Sequence, residues 1–314
     1  MNNGQPPVFK QLDHLIARVE EPARLFETLT GALGLPVAWP LASYPAFQSG
    51  GVALGNLYLE IMQCGARRPS RPGRFRAIAY EAPPIAEAVR ELSLRGIPHT
   101  PAGPYVERGA DGKKTLIWSN AVLGRMLGKD FLLDLTVTLS KLPGASRMSD
   151  AGSGSALDRF QLDKLFGRNF VFFVEYFYEN INDRPFWSEF KDHDEKRAAD
   201  LARLRDAGGG AVGLEAVEEI TAGVRDLDAA RELWKRLYTP AAETAPGLFR
   251  TGDDPAVRLV HAERDSIQTL VLKVSDLARA ESSLRGRGLL GPTVEGQVRL
   301  DPAKLEGLDV RLVA

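Results

Sequence analysis

The chain of 314 residues contains a single cysteine, Cys64, only four histidines and no long run of apolar residues. One cysteine excludes an intramolecular disulfide and is typical of proteins from a reducing compartment. No segment approaches the roughly 20 apolar residues that cross a bilayer, and the polar start at residues 1–7 lacks a signal-peptide pattern. We therefore expect a cytoplasmic protein that does not bind membranes.

An excess of charge of either sign is also missing. Forty basic residues balance 41 acidic residues, which leaves a net charge of −1. This balance gives no indication of nucleic-acid or anionic-membrane partners. A hydrophobic content of 44% and a charged content of 26% are typical of a globular protein. The length is sufficient for one large or two ordinary domains, and a small molecule is the expected partner.

What the chain does have is an internal repeat of about fifty residues, in which a strand, an acidic turn and an amphipathic helix recur four times. The clearest copy runs from Leu12-Asp13-His14 into a helix over residues 22–33, which Gly34 ends. The second and third copies predict helices from Ile85 to Arg95, before Gly96, and from Leu227 to Tyr238. Further strand-like segments follow each helix, so the order in each unit is βαβββ. The sequence therefore predicts an α+β fold with modules at residues 8–65, 74–182, 212–263 and 266–314.

Two segments interrupt the repeat. An insertion at about 124–167 stretches the second module and is expected to be either a lid or a surface decoration. Residues 183–211 form a charged linker helix that ends in three glycines. This linker contains His193 between two aspartates, and its charged surroundings predict a solvated side chain.

Short matches in the first two modules resemble the vicinal oxygen chelate superfamily, which includes glyoxalase I, the extradiol dioxygenases and the bleomycin-resistance proteins. More narrowly, they resemble the glyoxalase-like domain group. The matching segments are Leu12-Asp13-His14, Leu33-Gly34, Gly50-Gly51, Tyr58-Leu59-Glu60-Ile61, Leu116-Ile117-Trp118 and Phe172-Phe173-Val174-Glu175-Tyr176. The resemblance covers residues 8–182, whereas residues 212–314 match only as a pattern.

The resemblance implies that the four βαβββ modules pair into two open barrels of the glyoxalase/dioxygenase type. Residues 8–182 would form the N-terminal barrel, and residues 212–314 a degenerate C-terminal barrel without metal. Because one chain would supply both barrels, a monomer or a homodimer is expected.

The resemblance also implies a metal site in the N-terminal barrel, with ligands from the first and last strands of each module. The corresponding residues are His14, Glu60 and Glu175, and Arg76 occupies the fourth position. One imidazole and two carboxylates suit a divalent Fe, Mn, Zn, Ni or Co ion, without selecting among them. Arg76 stays protonated and cannot ligate, so it would pair with Glu175 or bind a substrate carboxylate.

Tyr58, Trp118 and Asn120 are expected to contact the substrate in the same barrel. Structural alternatives exist for several of these residues. His14 could be a hydrogen-bonded core histidine, and Trp118 could belong to the core. Glu60, among apolar neighbours, needs a cation that a metal or an arginine could supply.

Three functions remain open, the third being a degenerate family member that acts mainly through protein contacts. The first is a metal-dependent enzyme whose small substrate chelates the ion through two oxygens, with isomerase, lyase or dioxygenase chemistry. One histidine and two acids favour the isomerase or lyase type. The alternative is a non-catalytic binding protein of the resistance type that uses the same cup without metal. Metal analysis of the purified protein would separate the first from the others.

Overall fold

The structure is a computed structural model that describes residues 7–44, 46–64, 72–108, 112–139, 164–181, 187 and 189–314. It combines one mixed β-sheet with α-helices, so the predicted α+β class is confirmed. Most of the predicted insertion, at residues 140–163, lies outside the described residues. Across the described part, no helix combines the length and the apolar character needed to span a membrane.

The described part of the N-terminal half contains eight strands and three α-helices. The strands are β1 (Gln11–Arg18), β2 (Val37–Ser43), β3 (Phe47–Ala53), β4 (Tyr58–Cys64), β5 (Arg74–Glu81), β6 (Gly103–Arg108), β7 (Lys114–Leu123) and β8 (Phe170–Tyr176). The helices are α1 (Pro22–Glu27), which continues as a π-helical turn (Thr28–Ala32), α2 (Ile85–Leu94) and α3 (Phe131–Leu139). Pro22 fixes φ in the first turn of α1, and Gly34, at a φ of 67°, follows its last turn.

The linker helix α4 (His193–Asp206) precedes the C-terminal half. Asp192 caps it by accepting a hydrogen bond from the backbone N–H of Glu195. The remaining elements are β9 (Leu214–Val224), α5 (Leu227–Tyr238), β10 (Glu243–Ala245), β11 (Leu248–Phe249), β12 (Ala256–His261), β13 (Ser266–Val274), α6 (Leu277–Gly286), β14 (Val298–Arg299) and β15 (Asp309–Val313). The domain boundaries at 182, 211 and 212 stay predictions.

The strand pairing repeats from unit to unit. The first strand of each unit pairs in parallel with the last, as β1 with β4, β5 with β8, β9 with β12 and β13 with β15. The first strands of successive units pair antiparallel, as β1 with β5 and β9 with β13. The N-terminal strands run in the order β2-β3-β4-β1-β5-β8-β7-β6, and within the described residues β2 does not pair with β6. This sheet is not closed, so the pairing of four modules into two barrels remains a prediction.

The two halves share one hydrophobic core on the helix side of the sheet. Trp234, on α5, is fully buried there, and its Nε1 donates to the Met126 carbonyl at 2.7 Å. The hydroxyls of Tyr80 and Tyr238 are hydrogen-bonded across the same junction at 2.8 Å. Burying a side chain of this size contributes roughly 2–3 kcal/mol. The helices therefore hold both halves on one continuous sheet, which leaves the opposite face of the N-terminal strands for the site.

One contact between the halves is sensitive to pH. The Asp254 carboxylate accepts a hydrogen bond from the backbone N–H of Leu12 at 3.0 Å. Burial raises the pKa of Asp254 to about 6, from 3.8, although the Leu12 N–H opposes the shift. Folding thus favours the protonated carboxyl, and its stabilising contribution is lost as the pH rises from about 4 through about 6.

We predict that Asp254→Asn, which keeps the acceptor oxygen and removes the charge, stabilises the protein at pH 7 but not at pH 4. The free energy of unfolding, variant minus wild type, should rise by about 2 kcal/mol across that interval. Urea unfolding at both pH values measures it. Asp253→Asn, one residue away on the exposed surface, should show no such rise. A difference independent of pH at Asp254 would contradict the prediction.

Candidate functional site

The N-terminal strands curl around a cavity of about 280 Å³, which we call the cup. Trp39 on β2 and Tyr105 on β6 both line it, although these strands are the two edges of the N-terminal sheet. Its polar lining residues include His14, Ser49, Glu60 and Asn120. Most of the remaining wall is aromatic, with Trp39, Phe47, Tyr105, Trp118, Phe170, Phe172, Tyr176 and Trp187. An apolar cavity with a few grouped polar atoms is the usual form of a small-molecule site.

His14 lies between two carboxylates at the polar end of the cup. Its Nδ1 is 2.6 Å from Oδ2 of Asp13, and its Nε2 is 3.3 Å from Oε2 of Glu60. The pairing of β1 with β5 shifts register between Leu12 and His14. Such a bulge changes the direction of neighbouring side chains and allows Asp13 to reach the adjacent imidazole. Ser49 donates to the other Glu60 oxygen at 2.6 Å, so both oxygens of Glu60 have protein contacts.

Asp13 is fully buried and is the centre of this hydrogen-bond network. Besides His14, it contacts Nε2 of His193 on α4, and the hydroxyl of Tyr176 donates to it at 2.8 Å. The prediction that His193 is solvated is wrong, because the side chain is only 5% exposed. Its Nδ1 is 2.8 Å from the Tyr178 hydroxyl, so both ring nitrogens have partners.

The buried face of α4 is polar, so the spacing of apolar residues did not reveal that one face of this helix is buried. The buried residues of this helix are His193, Lys196, Asp200 and Leu204. Their spacing of three to four residues is that of one helix face. Lys196 pairs with Asp200 and lies 4.8 Å from the ring centroid of Tyr58. Helical spacing among polar residues was therefore the signal that could have identified His193.

Burial and neighbouring charges determine the protonation of this group. Burial alone would lower the pKa of His14, but Asp13 and Glu60 raise it above its usual value. Burial raises the pKa of Glu60, although His14 and Ser49 oppose the shift. Burial would also raise the pKa of Asp13, but His193 and His14 hold it well below its usual range. The network thus keeps Asp13 ionised and extends the pH range in which His14 is protonated.

Two of the three predicted substrate contacts on β4 and β7 lie in the cup. Trp118 and Asn120, on β7, line the cavity, and the Trp118 ring stacks on Tyr105 with centroids 4.0 Å apart. Tyr58 is buried beside the cup, and its hydroxyl donates to Asp200 of α4 at 2.8 Å. Tyr58 is therefore a contact between the strand and the linker helix, and it is not among the lining residues.

The structure does not bring Glu175 to His14 and Glu60. Val174 and Tyr176 line the cup, and successive side chains of a strand point to opposite faces. Glu175 accordingly faces α2, where its Oε2 accepts a hydrogen bond from the Ile85 backbone N–H at 3.1 Å. Glu175, the residue predicted as a metal ligand, therefore lies outside the cup, because its neighbours Val174 and Tyr176 occupy the face of β8 that lines the cavity.

Arg76 also lies outside the cup. Its Nη1 approaches the Gly167 carbonyl at 3.4 Å, and its side chain lines a second cavity between the two halves. No ion pair joins Arg76 to Glu175 within the described part of the chain. The expected pairing of these two residues is therefore not present, because the register pairs Ala77 with Phe170 and Glu81 with Val174 and so places Arg76 and Glu175 at opposite ends of the two strands.

The donors in the cup can be compared with the three-ligand metal site that the sequence predicts. His14 Nε2 and Glu60 Oε2 are close enough to contact one ion. Apolar Ala77 and Ala79 on β5 and Val174 on β8 belong to the cluster at the cup wall, and none of them can ligate. Among the described residues no group of three His, Cys, Asp or Glu side chains could hold a metal. Catalytic zinc sites generally use three protein ligands, so the residues present do not fit such a centre.

The comparisons with known proteins support the fold. No protein-family model and no curated protein matches the chain. Among solved structures, a 4-hydroxymandelate synthase mutant from Streptomyces coelicolor aligns with a TM-score of 0.54 and 10% identity, over 98% of this chain and 92% of that one. A variant of homoprotocatechuate 2,3-dioxygenase from B. fuscum aligns with a TM-score of 0.51 and 11% identity, over 99% and 73%.

A hypothetical protein from Staphylococcus aureus has a similar length. It aligns with a TM-score of 0.51 and 9% identity, over 96% of this chain and 98% of that chain. At such identities these likenesses show a shared fold. The chain therefore shares its fold with a homoprotocatechuate 2,3-dioxygenase and a 4-hydroxymandelate synthase.

Proposed function

We propose that the protein binds a small, largely aromatic molecule in the cup and that His14 and Glu60 recognise its polar group without a three-ligand metal centre. The observation that carries this proposal is the position of His14, held between Asp13 and Glu60 at the end of an aromatic cavity. This is the non-catalytic function of the resistance type, within the glyoxalase-like group that the sequence resembles.

The chemistry of the cup supports a ligand with a flat apolar body and a hydroxyl or carbonyl group. Rings such as Trp118 and Tyr105 offer large apolar contact areas. The paired His14 and Glu60 present a donor and an acceptor side by side, and both are almost removed from water. A hydrogen bond to a charged group in such surroundings typically contributes about 1.5–3 kcal/mol. Loss of either side chain should therefore weaken binding by an order of magnitude or more.

A metal-dependent enzyme of the glyoxalase/dioxygenase superfamily is the second candidate. One observation favours it: Asp13 binds Nδ1 of His14 and leaves Nε2 directed at Glu60. Metal-ligating histidines usually have such a carboxylate on the far ring nitrogen. His14 and Glu60 would be the protein ligands of the ion, and a bound ion would polarise substrate oxygens. Two protein donors make this candidate weaker than the first.

Binding of 4-nitrophenol and 1-naphthol, followed by absorbance and fluorescence, tests the proposed function. We predict that Glu60→Gln weakens binding at least about tenfold, because it removes the charge of the acceptor in the cup. Glu175→Gln is the matched control, since it makes the same change on the opposite face of the sheet. It should alter the dissociation constant by less than about twofold.

Two outcomes would overturn the binding proposal. One is equal weakening in Glu60→Gln and Glu175→Gln, or no saturable binding of either probe. The other is stoichiometric metal in protein purified without chelator, lost in both His14→Ala and Glu60→Gln, which would support the enzyme. Elemental analysis of the wild type, His14→Ala and Glu60→Gln tests the second outcome.

A further inference from the structure

A second cavity, of about 410 Å³, lies between the two halves, and we call it the cleft. The N-terminal half contributes Arg76, Leu127, Lys129, Asp130 and the turn at residues 167–169. The C-terminal half contributes Arg225 and residues 263–265. Phe166 and Phe170 on either side of that turn line the cup. The cleft and the cup are thus separate cavities on two sides of the same turn.

The charge of the cleft is predominantly positive. Its lining includes five cationic side chains and three carboxylates. Two of these carboxylates are already paired, Asp130 with Arg168 at 2.8 Å and Asp265 with Arg225 at 2.9 Å. Lys129 and Arg264 have no ion pair within the described residues, and both are exposed at the rim. The cleft therefore contains more cationic groups than its own carboxylates can neutralise.

Arg76 is the most informative of these groups. Its Nε is buried without a hydrogen-bond partner in the described part of the chain, and its contact with Gly167 is long, at 3.4 Å. Burial, with Arg18 and Arg74 nearby, lowers the pKa of Arg76 to about 10, so it remains charged at neutral pH. A half-buried guanidinium without a carboxylate is costly unless an anion compensates it.

We propose that the cleft is a binding site for a compact oxyanion, either inorganic phosphate or the terminal phosphate of a small phosphomonoester, with Arg76 as its principal contact. The planar guanidinium donates two parallel hydrogen bonds to such oxygens. Lys129 and Arg264 lie at the rim as additional point charges. A dianion matches the excess of two cationic side chains over carboxylates in the lining.

Calorimetric titration of the full chain with potassium phosphate at pH 7.5 and constant ionic strength tests this site. Constant ionic strength is needed because screening alone would change weak anion binding. We expect saturable binding at one site per chain, weakened at least about tenfold in Arg76→Gln. Arg74→Gln is the matched control, because Arg74 lies on the same strand two residues away, is exposed and does not line the cleft. It should change the affinity by less than about twofold.

Three further measurements make the test decisive. Arg264→Gln, at an exposed position, should weaken phosphate binding about threefold without affecting folding. Methyl phosphate, which has no aromatic ring for the cup, should bind more tightly than phosphate if the site accepts a phosphomonoester, and equally or less tightly if it accepts the free ion. No saturable binding up to about 10 mM phosphate, or equal losses in Arg74→Gln and Arg76→Gln, would overturn the proposal. Because Arg76 is outside the cup, binding of 4-nitrophenol should be unchanged in Arg76→Gln.

Discussion

Asp13→Asn should lower the free energy of unfolding by about 3 kcal/mol or more, which is the loss expected when one partner is removed from a buried ion pair. Asp13 is fully buried and contacts His14, His193 and the Tyr176 hydroxyl. Asparagine has nearly the same shape, so the change removes the charge and one acceptor without creating a cavity. Urea unfolding at pH 7 measures the effect.

The pKa of His14 provides an independent measure of the same substitution. Asp13 and Glu60 together raise this pKa against the effect of burial, so loss of the Asp13 charge should lower it. Proton NMR titration of the imidazole follows the change. Asp253→Asn, an exposed neutralisation in a surface turn, should alter stability by less than about 0.5 kcal/mol. Equal effects of the two substitutions on stability would show that Asp13 is not the centre of the network.

Gly51→Ala should disrupt the cup from the side of β3. Gly51 is buried and pairs with Trp39 of β2, and a Cβ at this position would overlap the Trp39 indole ring. Trp39 lines the cup, and its Nε1 donates to Ser49 at 3.3 Å. Because the backbone on both sides is held in the sheet, the indole has to move. We expect a loss of about 2 kcal/mol in unfolding free energy, typical of overpacking.

Displacement of the Trp39 ring should also weaken ligand binding, which a measurement of stability does not report. Binding of 4-nitrophenol should weaken at least about tenfold, since Trp39 would enter the cup or open its wall. Gly31→Ala is the control, because a Cβ there meets only Glu27 Cγ at an ordinary 3.7 Å. In that helical position, alanine should stabilise the protein by up to about 1 kcal/mol. Unchanged probe binding in Gly51→Ala would contradict the assignment of Trp39 to the cup wall.

The sequence was sufficient to predict most of the secondary structure. The helix predicted over residues 227–238 is present as α5, and that predicted from Ile85 is present as α2. Both have apolar residues on one face, which local spacing reveals. The glycines expected to stop helices, such as Gly34 and Gly96, have positive φ. These features depend on neighbours in sequence, so no knowledge of tertiary contacts was required.

Residues of the candidate site could be predicted only on strands in which apolar and polar residues alternate. On β4 the apolar residues Leu59 and Ile61 alternate with Glu60, and Glu60 lies in the cup. On β8 both faces are buried, with Phe173 towards the helices and Phe172 and Val174 towards the cup. Such a strand has no apolar and polar alternation from which to assign a face. The sequence of β8 alone therefore could not show on which face of the sheet Glu175 lies.

Contacts distant in sequence were beyond prediction for a different reason. Asp13 and His193 are 180 residues apart, and their contact depends on how α4 docks against β1. The flanking residue Asp194 is exposed and Asp192 is partly exposed, so the charged segment resembled a solvated linker. The three-dimensional structure shows that one face of this helix is directed inward along most of its length.

The docking of α4 has a consequence for any shortened form of the protein. A polypeptide that stops at residue 182 would contain every strand of the N-terminal half, yet it would lose His193 and Lys196. Asp13 would then keep a single imidazole partner, and Tyr58 would lose its contact with Asp200. A recombinant fragment or a natural relative of this protein would therefore retain an intact cup only if its C-terminus extends past Asp206.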